Sequence, residues 1–201
     1  MKQPSIIIRP AAVEDSDAIL DIYKPYIETT SITFEYDVPS SEAFRRRIAG
    51  ILEKFPYLVA IDKDSNKIIG YAYANTFRER AAYGRCAELS IYLSPYYKGQ
   101  GIGRRLYNAL ERILFHQNII NMAVAITDSA EKDDIHNTND SFSFHKSMGF
   151  SLVGAFTKCG YKFGKWYNVI YMEKFLSCHS PFPAEVKTFE EIRHLINFGD
   201  F

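Results

Sequence analysis

The chain has 201 residues, 47% of them hydrophobic and 15% aromatic, and its 24 basic and 24 acidic residues cancel to a formal net charge of zero. That length suffices for one well-filled core, while balanced charge without a basic stripe speaks against a protein that grips nucleic acid by neutralising phosphates. Cys86, Cys159 and Cys178 are widely spaced and form no Cys-x-x-Cys pair, which argues against a disulfide framework or a structural zinc site, and the apolar run at Ile6 to Ile8 is too short for a signal peptide or a membrane span. A cytoplasmic, reducing setting is therefore expected.

Ile6-Ile-Ile-Arg9 reads as a first strand ended by Pro10. Glu14, Asp15, Ser16 and Asp17 give helix-start signals ahead of Ile19, Leu20, Ile22 and Tyr23, and Pro25 marks a kink or an early end. Residues 29–36 are β-branched and aromatic, yet polar enough to predict a connecting segment that lines something. A second helix is expected from Ser40 or Ser41, with Phe44, Ile48 and Ile51 on one side. Residues 57–62 and 68–75 flank the turn signal Lys63-Asp-Ser-Asn66 and predict a hairpin, after which residues 77–85 form a cationic, aromatic loop.

From Cys86 to Leu93 the side chains alternate. Cys86, Glu88, Ser90 and Tyr92 share one face, and Ala87, Leu89, Ile91 and Leu93 share the other, so a single carboxylate stands on the less apolar side. Gly99, Gly101 and Gly103 follow Pro95, and then Ile102, Leu106, Leu110, Ile113 and Leu114 recur at helical spacing, which puts the glycines at a helix N-terminus. Residues 122–127 read as a buried strand and complete a strand-helix-strand crossover. Residues 128–140 are predicted to be an exposed loop. Ser141 is expected to cap a short helix carrying Phe142, Phe144, His145 and Met148, stopped by Gly149. Residues 151–158 and 166–173 look like strands joined by residues 159–165. The remainder holds Pro181, Pro183 and a helix over 189–198. The pattern predicts an α/β (α+β) fold with a mixed sheet covered on both faces, divided into a domain over 1–176 and an extension over 177–201.

A glycine-rich turn entering a helix presents unpaired N–H groups and the positive end of the helix dipole, a setting suited to phosphate. Dinucleotide spacing fails, because Arg104 or Leu106 stands where the third glycine should be. A P-loop fails as well, because Arg104 and Arg105 follow Gly103. What remains is Lys98-Gly-Gln-Gly101-Ile-Gly103, which resembles the turn by which the Gcn5-related N-acetyltransferase (GNAT) superfamily holds the pyrophosphate of acetyl-coenzyme A. Lys98 stands where that family more often has Arg or Gln, keeping charge without the guanidinium fork. The stretches Thr29-Thr-Ser-Ile-Thr-Phe-Glu35, Gly70-Tyr-Ala-Tyr-Ala74, Glu88-Leu-Ser-Ile-Tyr92, Phe144-His-Lys-Ser-Met-Gly-Phe150 and Gly160-Tyr-Lys-Phe-Gly-Lys-Trp166 extend the resemblance, over roughly residues 6–175, to the phosphinothricin acetyltransferase branch.

The resemblance implies a mostly antiparallel sheet of about six to seven strands. It also implies acetyl-coenzyme A as co-substrate with no metal, a small amine as acceptor, and a possible homodimer. Glu88 falls at the position of the general base; its alternative is a carboxylate paired with Arg78 or Arg85. A backbone N–H within residues 90–93 would face the developing oxyanion. The cofactor would be held by Ile91, Tyr92 and Leu93, by Lys98, Gly99, Gln100, Gly101, Ile102, Gly103 and Arg104, and by Asn139 and Ser141 along the pantetheine arm. His145 stands where a general acid would protonate the departing thiolate, or is simply packed. Phe34, Glu35, Arg78, Arg80 and Tyr83 are expected to line the acceptor pocket, with Tyr161 and Trp166 beside them, Arg being the natural partner of an amino-acid carboxylate. The other histidines lack metal-ligand spacing, and Cys178-His179 has no third partner. The acceptor is expected to be an amino acid or an analogue such as phosphinothricin or methionine sulfoximine. A protein N-terminus, a polyamine, or a non-catalytic acyl-coenzyme A binding module are the alternatives.

Overall fold

The computed structural model describes residues 5–131, 134–137 and 140–201. Its framework is a seven-stranded sheet in the order β1-β2-β3-β4-β5-β7-β6, formed by Ile6–Pro10, Tyr57–Asp62, Lys67–Thr76, Cys86–Leu93, Asn121–Asp128, Lys165–Phe175 and Ser151–Lys162 respectively. Every pairing is antiparallel except β4 with β5. The crossover between those two strands is α3 (Ile102–His116), whose buried Ile102, Leu106, Leu110 and Ile113 recur on one stripe. A Cβ added to Gly103 would lie 3.3 Å from Ile91 Cδ1, so α3 packs on the Ile91 face of β4. The opposite face is covered over β2 to β4 by α1 (Ser16–Thr29) and α2 (Ser41–Leu52), where Tyr23 and Tyr26 meet the ring of Tyr92 at 4.9 and 5.1 Å. Ser40 caps α2 by accepting from the Ala43 amide, and Phe44, Ile48 and Ile51 are buried.

Three expectations are corrected and one is narrowed. Of the two outcomes expected at Pro25, a kink or an early end, the early end is excluded, because α1 runs through the proline to Thr29. Ile22, Tyr23, Tyr26 and Ile27 are buried on both sides of the proline, and at roughly 2 kcal/mol each their burial outweighs one lost helical hydrogen bond. Ser141 is not a cap, because α4 (Asp140–Ser147) begins one residue before it. The link between β6 and β7 is not seven residues long. Both strands continue inward to a turn at Phe163 (φ 50°) and Gly164 (φ 74°), the two consecutive positive φ values that suit a twisted hairpin. The helix expected over 189–198 shrinks to α5 (Phe189–Ile192) followed by short 3-10 turns. Asn197 accepts from the Gly199 amide and diverts the backbone from helix. Phe189, Ile192 and Ile196 nevertheless sit in the same core as α3.

The segment after β5 is exposed at Ala130, Glu131 and Ile135, as expected, but not throughout. Asp134 and Asn137 are buried, and Asn137 Nδ2 donates to the Thr127 carbonyl at 2.9 Å. Polar composition predicted exposure, but these side chains find main-chain partners and so can be enclosed.

Candidate active site

β4 and β5 pair only at Cys86↔Asn121, Ala87↔Met122 and Glu88↔Ala123. Beyond that point β4 continues along β3 to Leu93 while β5 continues along β7 to Asp128, so the two strands part. The Ser94 amide donates to Ile69 of β3, whereas the Leu93 carbonyl accepts from the Tyr26 hydroxyl at 2.6 Å. Alternation along an antiparallel ladder then turns the main-chain groups of Leu93, Ile91 and Leu89 toward the gap.

A cleft of about 510 Å³ fills this gap. Ile91 and Leu93 form one wall, Ala125 to Thr127 the other, and Lys98, Gly99 and Gly103 its mouth. At the mouth Gly99 and Gly101 adopt φ values of 73° and 79°, a conformation that directs successive amides outward at little cost only for glycine. The amides of Gly101, Ile102, Gly103 and Arg104 head α3 and have no partner inside the helix. Lys98 Nζ lies 5.4 Å from the centre of the Tyr26 ring. The mouth therefore offers amides, a helix dipole and a cation, and the throat offers strand edges to an extended amide-bearing chain.

Of the residues expected to hold a cofactor, Ile91, Leu93, Lys98, Gly99, Gly103 and Ser141 line the cleft. Ile102 turns its side chain into the core and Tyr92 turns its ring toward α1, so each offers main chain alone. Gln100 is bonded to the Tyr96 carbonyl and Arg104 to Ser147 Oγ. Asn139 lies outside the described residues. Tyr26, Ile32 and Asn137 also line the cleft. Sequence reasoning missed them because they come from a helix, a loop and a charged segment brought together only by folding.

Glu88 stands at the fork, on the Ser90 face, with its side chain 33% exposed. Burial pushes its carboxyl above the ordinary glutamate range, and Arg78, with Nη1 3.9 Å from Oε2, pulls it partly back. A raised carboxyl beside a cation as distant as 3.9 Å is chemically able to exchange a proton. Glu35 accepts from Arg47 Nη1 at 2.7 Å and from the Tyr23 hydroxyl at 3.2 Å. Arg78 and Tyr83 line a second cleft on the Glu88 side of the sheet. Phe34, Glu35 and Arg80 line neither cleft.

His145 is buried, and both its ring nitrogens are committed. Nδ1 lies 2.7 Å from the Ser141 carbonyl, which can only accept, so Nδ1 carries the proton and Nε2 accepts from the Tyr107 hydroxyl at 2.8 Å. Burial brings its pKa down to about 4, keeping the ring neutral. What reaches the cleft from this cluster is Ser141, whose Oγ is 3.3 Å from Nδ1.

The loop carrying Ile32 and Glu35 is held by Lys162, a residue that the sequence left inside a connecting segment. Its ammonium is buried and donates to the carbonyls of Ile27, Thr30 and Thr33 at 2.7 to 2.9 Å. Phe34 packs against Gly160, where a Cβ would find no room, and the Tyr36 hydroxyl donates to the Tyr161 carbonyl. The only hint in sequence is the two-residue spacing of Gly160 and Lys162, which places both on one strand face.

Comparison with known proteins gives the family. The acetyltransferase (GNAT) domain family matches residues 8–171. A phosphinothricin N-acetyltransferase of Streptomyces coelicolor is 31% identical over 169 residues, covering 83% of this chain and 94% of that one. Its counterpart from Alcaligenes faecalis is 34% identical over 172 residues, covering 83% and 81%. The crystal structure of a phosphinothricin acetyltransferase from Sinorhizobium meliloti in complex with AcCoA superposes with a TM-score of 0.79 at 29% identity, over 94% of this chain and 99% of that chain.

Proposed function

The chain belongs to the GNAT acetyltransferase family, and from that premise we propose that it transfers the acetyl group of acetyl-coenzyme A to the primary amine of a free amino acid or a close analogue of the phosphinothricin or methionine sulfoximine kind. The observation that carries this reading is the fork. Strand pairing stops at Glu88↔Ala123, so a candidate base stands where a cleft with an anion-binding mouth opens.

The bound co-substrate supplies an activated thioester. Lys98 and the amides heading α3 suit its pyrophosphate, and the strand edges of β4 suit the amides of its arm. Asn139 is proposed to touch that arm beside Ser141. Glu88 takes a proton from the acceptor ammonium, directly or through water, because a protonated amine has no lone pair to donate. The amine nitrogen then bonds to the acetyl carbon, the carbon–sulfur bond breaks, and coenzyme A departs as a thiolate that takes up a proton. A β4 amide turned toward the gap opposes the charge that gathers on the acetyl oxygen. His145, neutral and doubly bonded, serves here by holding Ser141 at the cleft wall. Arg78 meets the acceptor carboxylate; Arg80, Phe34 and Glu35 act from the surrounding loops.

Coenzyme A release measured over a panel of amino acids tests the reading, and no turnover with any of them would sink the acceptor class. Glu88→Gln is expected to lower kcat by roughly 10²-fold or more, the ordinary contribution of a general base, with acetyl-coenzyme A affinity retained; unchanged kcat would remove Glu88 from the role. Exposed Leu152, Tyr161 and Trp166 along β6 and its hairpin suit a second copy of the chain, and three unpaired cysteines suit a reducing compartment.

A further inference from the structure

Strand register places Glu88, Ala123 and Glu173 side by side on β4, β5 and β7. The two carboxylate-bearing positions are therefore about two strand spacings, roughly 10 Å, apart, with only the Ala123 methyl group between them. Around this row opens the second cleft, of about 760 Å³. Its walls include Arg78 and Tyr83 from the β3–β4 loop, Phe156 from β6, Tyr171 from β7, and His179 and Pro183 from the C-terminal tail. The base adjoins it on two counts. Ala123 on the cleft surface is the register partner of Glu88, and Arg78 on the wall is the cation 3.9 Å from the Glu88 carboxylate.

The tail wall is fixed in place. His179 Nε2 lies 2.9 Å from Asn121 Oδ1, its ring meets Phe175 edge-on at 4.9 Å, and Arg85 donates to the carbonyls of Pro183 and Ala184. This wall lies beyond residue 171, where the family match ends. A volume near the upper part of the roughly 300 to 1,000 Å³ span of small-molecule pockets is far more than a short side chain fills. Three of the walls are aromatic, and Glu173, next to Ala123 in the register, offers a carboxylate as hydrogen-bond acceptor at the far side of the floor.

We propose that this cleft is the side-chain subsite of the acceptor, and that it selects free α-amino acids with a bulky aromatic side chain. The inference rests on the acetyltransferase reading. The amine meets Glu88, the carboxylate meets Arg78, and the ring lies over Ala123 between Tyr83, Phe156 and Tyr171. A phenol or indole at the ring's tip donates to Glu173.

The test is kcat/KM for alanine, methionine, phenylalanine and tryptophan with the wild-type protein, Ala123→Leu and Tyr83→Ala. The wild type is expected to favour tryptophan over alanine by roughly tenfold or more, the discrimination a well-filled apolar pocket supplies. Each variant is expected to reduce that ratio, Ala123→Leu by crowding the floor and Tyr83→Ala by removing an exposed wall residue that no core packing depends on. Turnover indifferent to side-chain size, or a ratio unmoved by both variants, overturns the subsite alone. Coenzyme A release with none of the four acids overturns the acceptor class, and the subsite with it.

Discussion

Glu88 and His145 show how one physical effect, burial, gives two side chains different work. Desolvation raises the Glu88 carboxyl and Arg78 lowers it. In the proposed role only the deprotonated carboxylate accepts the amine's proton, so activity is expected to fall as pH drops through that raised value. Arg78→Met removes the downward pull, so the acid limb of the kcat/KM profile is expected to move to higher pH; a limb that stays put would separate Arg78 from the base. For His145 the folded pKa lies below the unfolded value. The unfolded chain takes up a proton below about pH 6.5, while the folded one resists until about 4. Stability is therefore lost as pH falls across that window, by on the order of 3 kcal/mol in full. His145→Gln is expected to flatten the fall in Tm between pH 7 and 5. Lys162 belongs to the same scale. Lys162→Met leaves three carbonyls without their shared donor and is expected to cost roughly 3 kcal/mol. It should also raise the acceptor KM, because the loop it holds carries Glu35; a KM that stays constant would confine Lys162 to stability.

At the scale of elements, the decisive pair is β4 with α3. Gly101 caps the helix with φ 79°, so Gly101→Ala is expected to cost about 1 kcal/mol of strain and to weaken acetyl-coenzyme A binding more than acceptor binding. Calorimetric titration of the cofactor checks this, and unchanged affinity would remove the amide cradle from the reading. The turn, the helix stripe and the alternation of β4 were all legible, since each is a local pattern with a local cause. The parting of β4 from β5 was not. It depends on which neighbour each strand keeps, β3 for one and β7 for the other, and no residue in either strand announces that choice. The β6–β7 hairpin was misread for a related reason. Its Phe163-Gly164 turn carries no Asn-Gly signal, and the positive φ of Phe163 is imposed by the strands on either side.

Over the whole molecule, the tail is tied to the rest by both core and cleft. Phe189, Ile192 and Ile196 bury against the main core, and Arg105 and Gln117 donate to the carbonyls of Phe201 and Lys187. Truncation at residue 176 would remove those three side chains and expose the core surface they cover, at a cost on the order of 5 kcal/mol, comparable with the stability of a whole domain. The fragment 1–176 is expected to melt far below the full chain or to aggregate, as thermal denaturation with gel filtration would show; an equally stable fragment would make the tail dispensable to folding. Among the described residues no helix is long and apolar enough to cross a membrane.

The sequence by itself determined the elements, the glycine cradle, the isolated carboxylate of β4 and the family resemblance, because periodicity, backbone preference and short motifs act over a few residues. Tertiary structure alone decided that the carboxylate stands at a fork, that His145 is neutral and enclosed, that a buried lysine from a distant hairpin fixes the loop bearing Glu35, and that the tail walls the cleft beside Glu88. Each of those facts joins groups far apart in the chain. Desolvation, strand register and shared hydrogen bonds between such groups exist only once the sheet has closed around them.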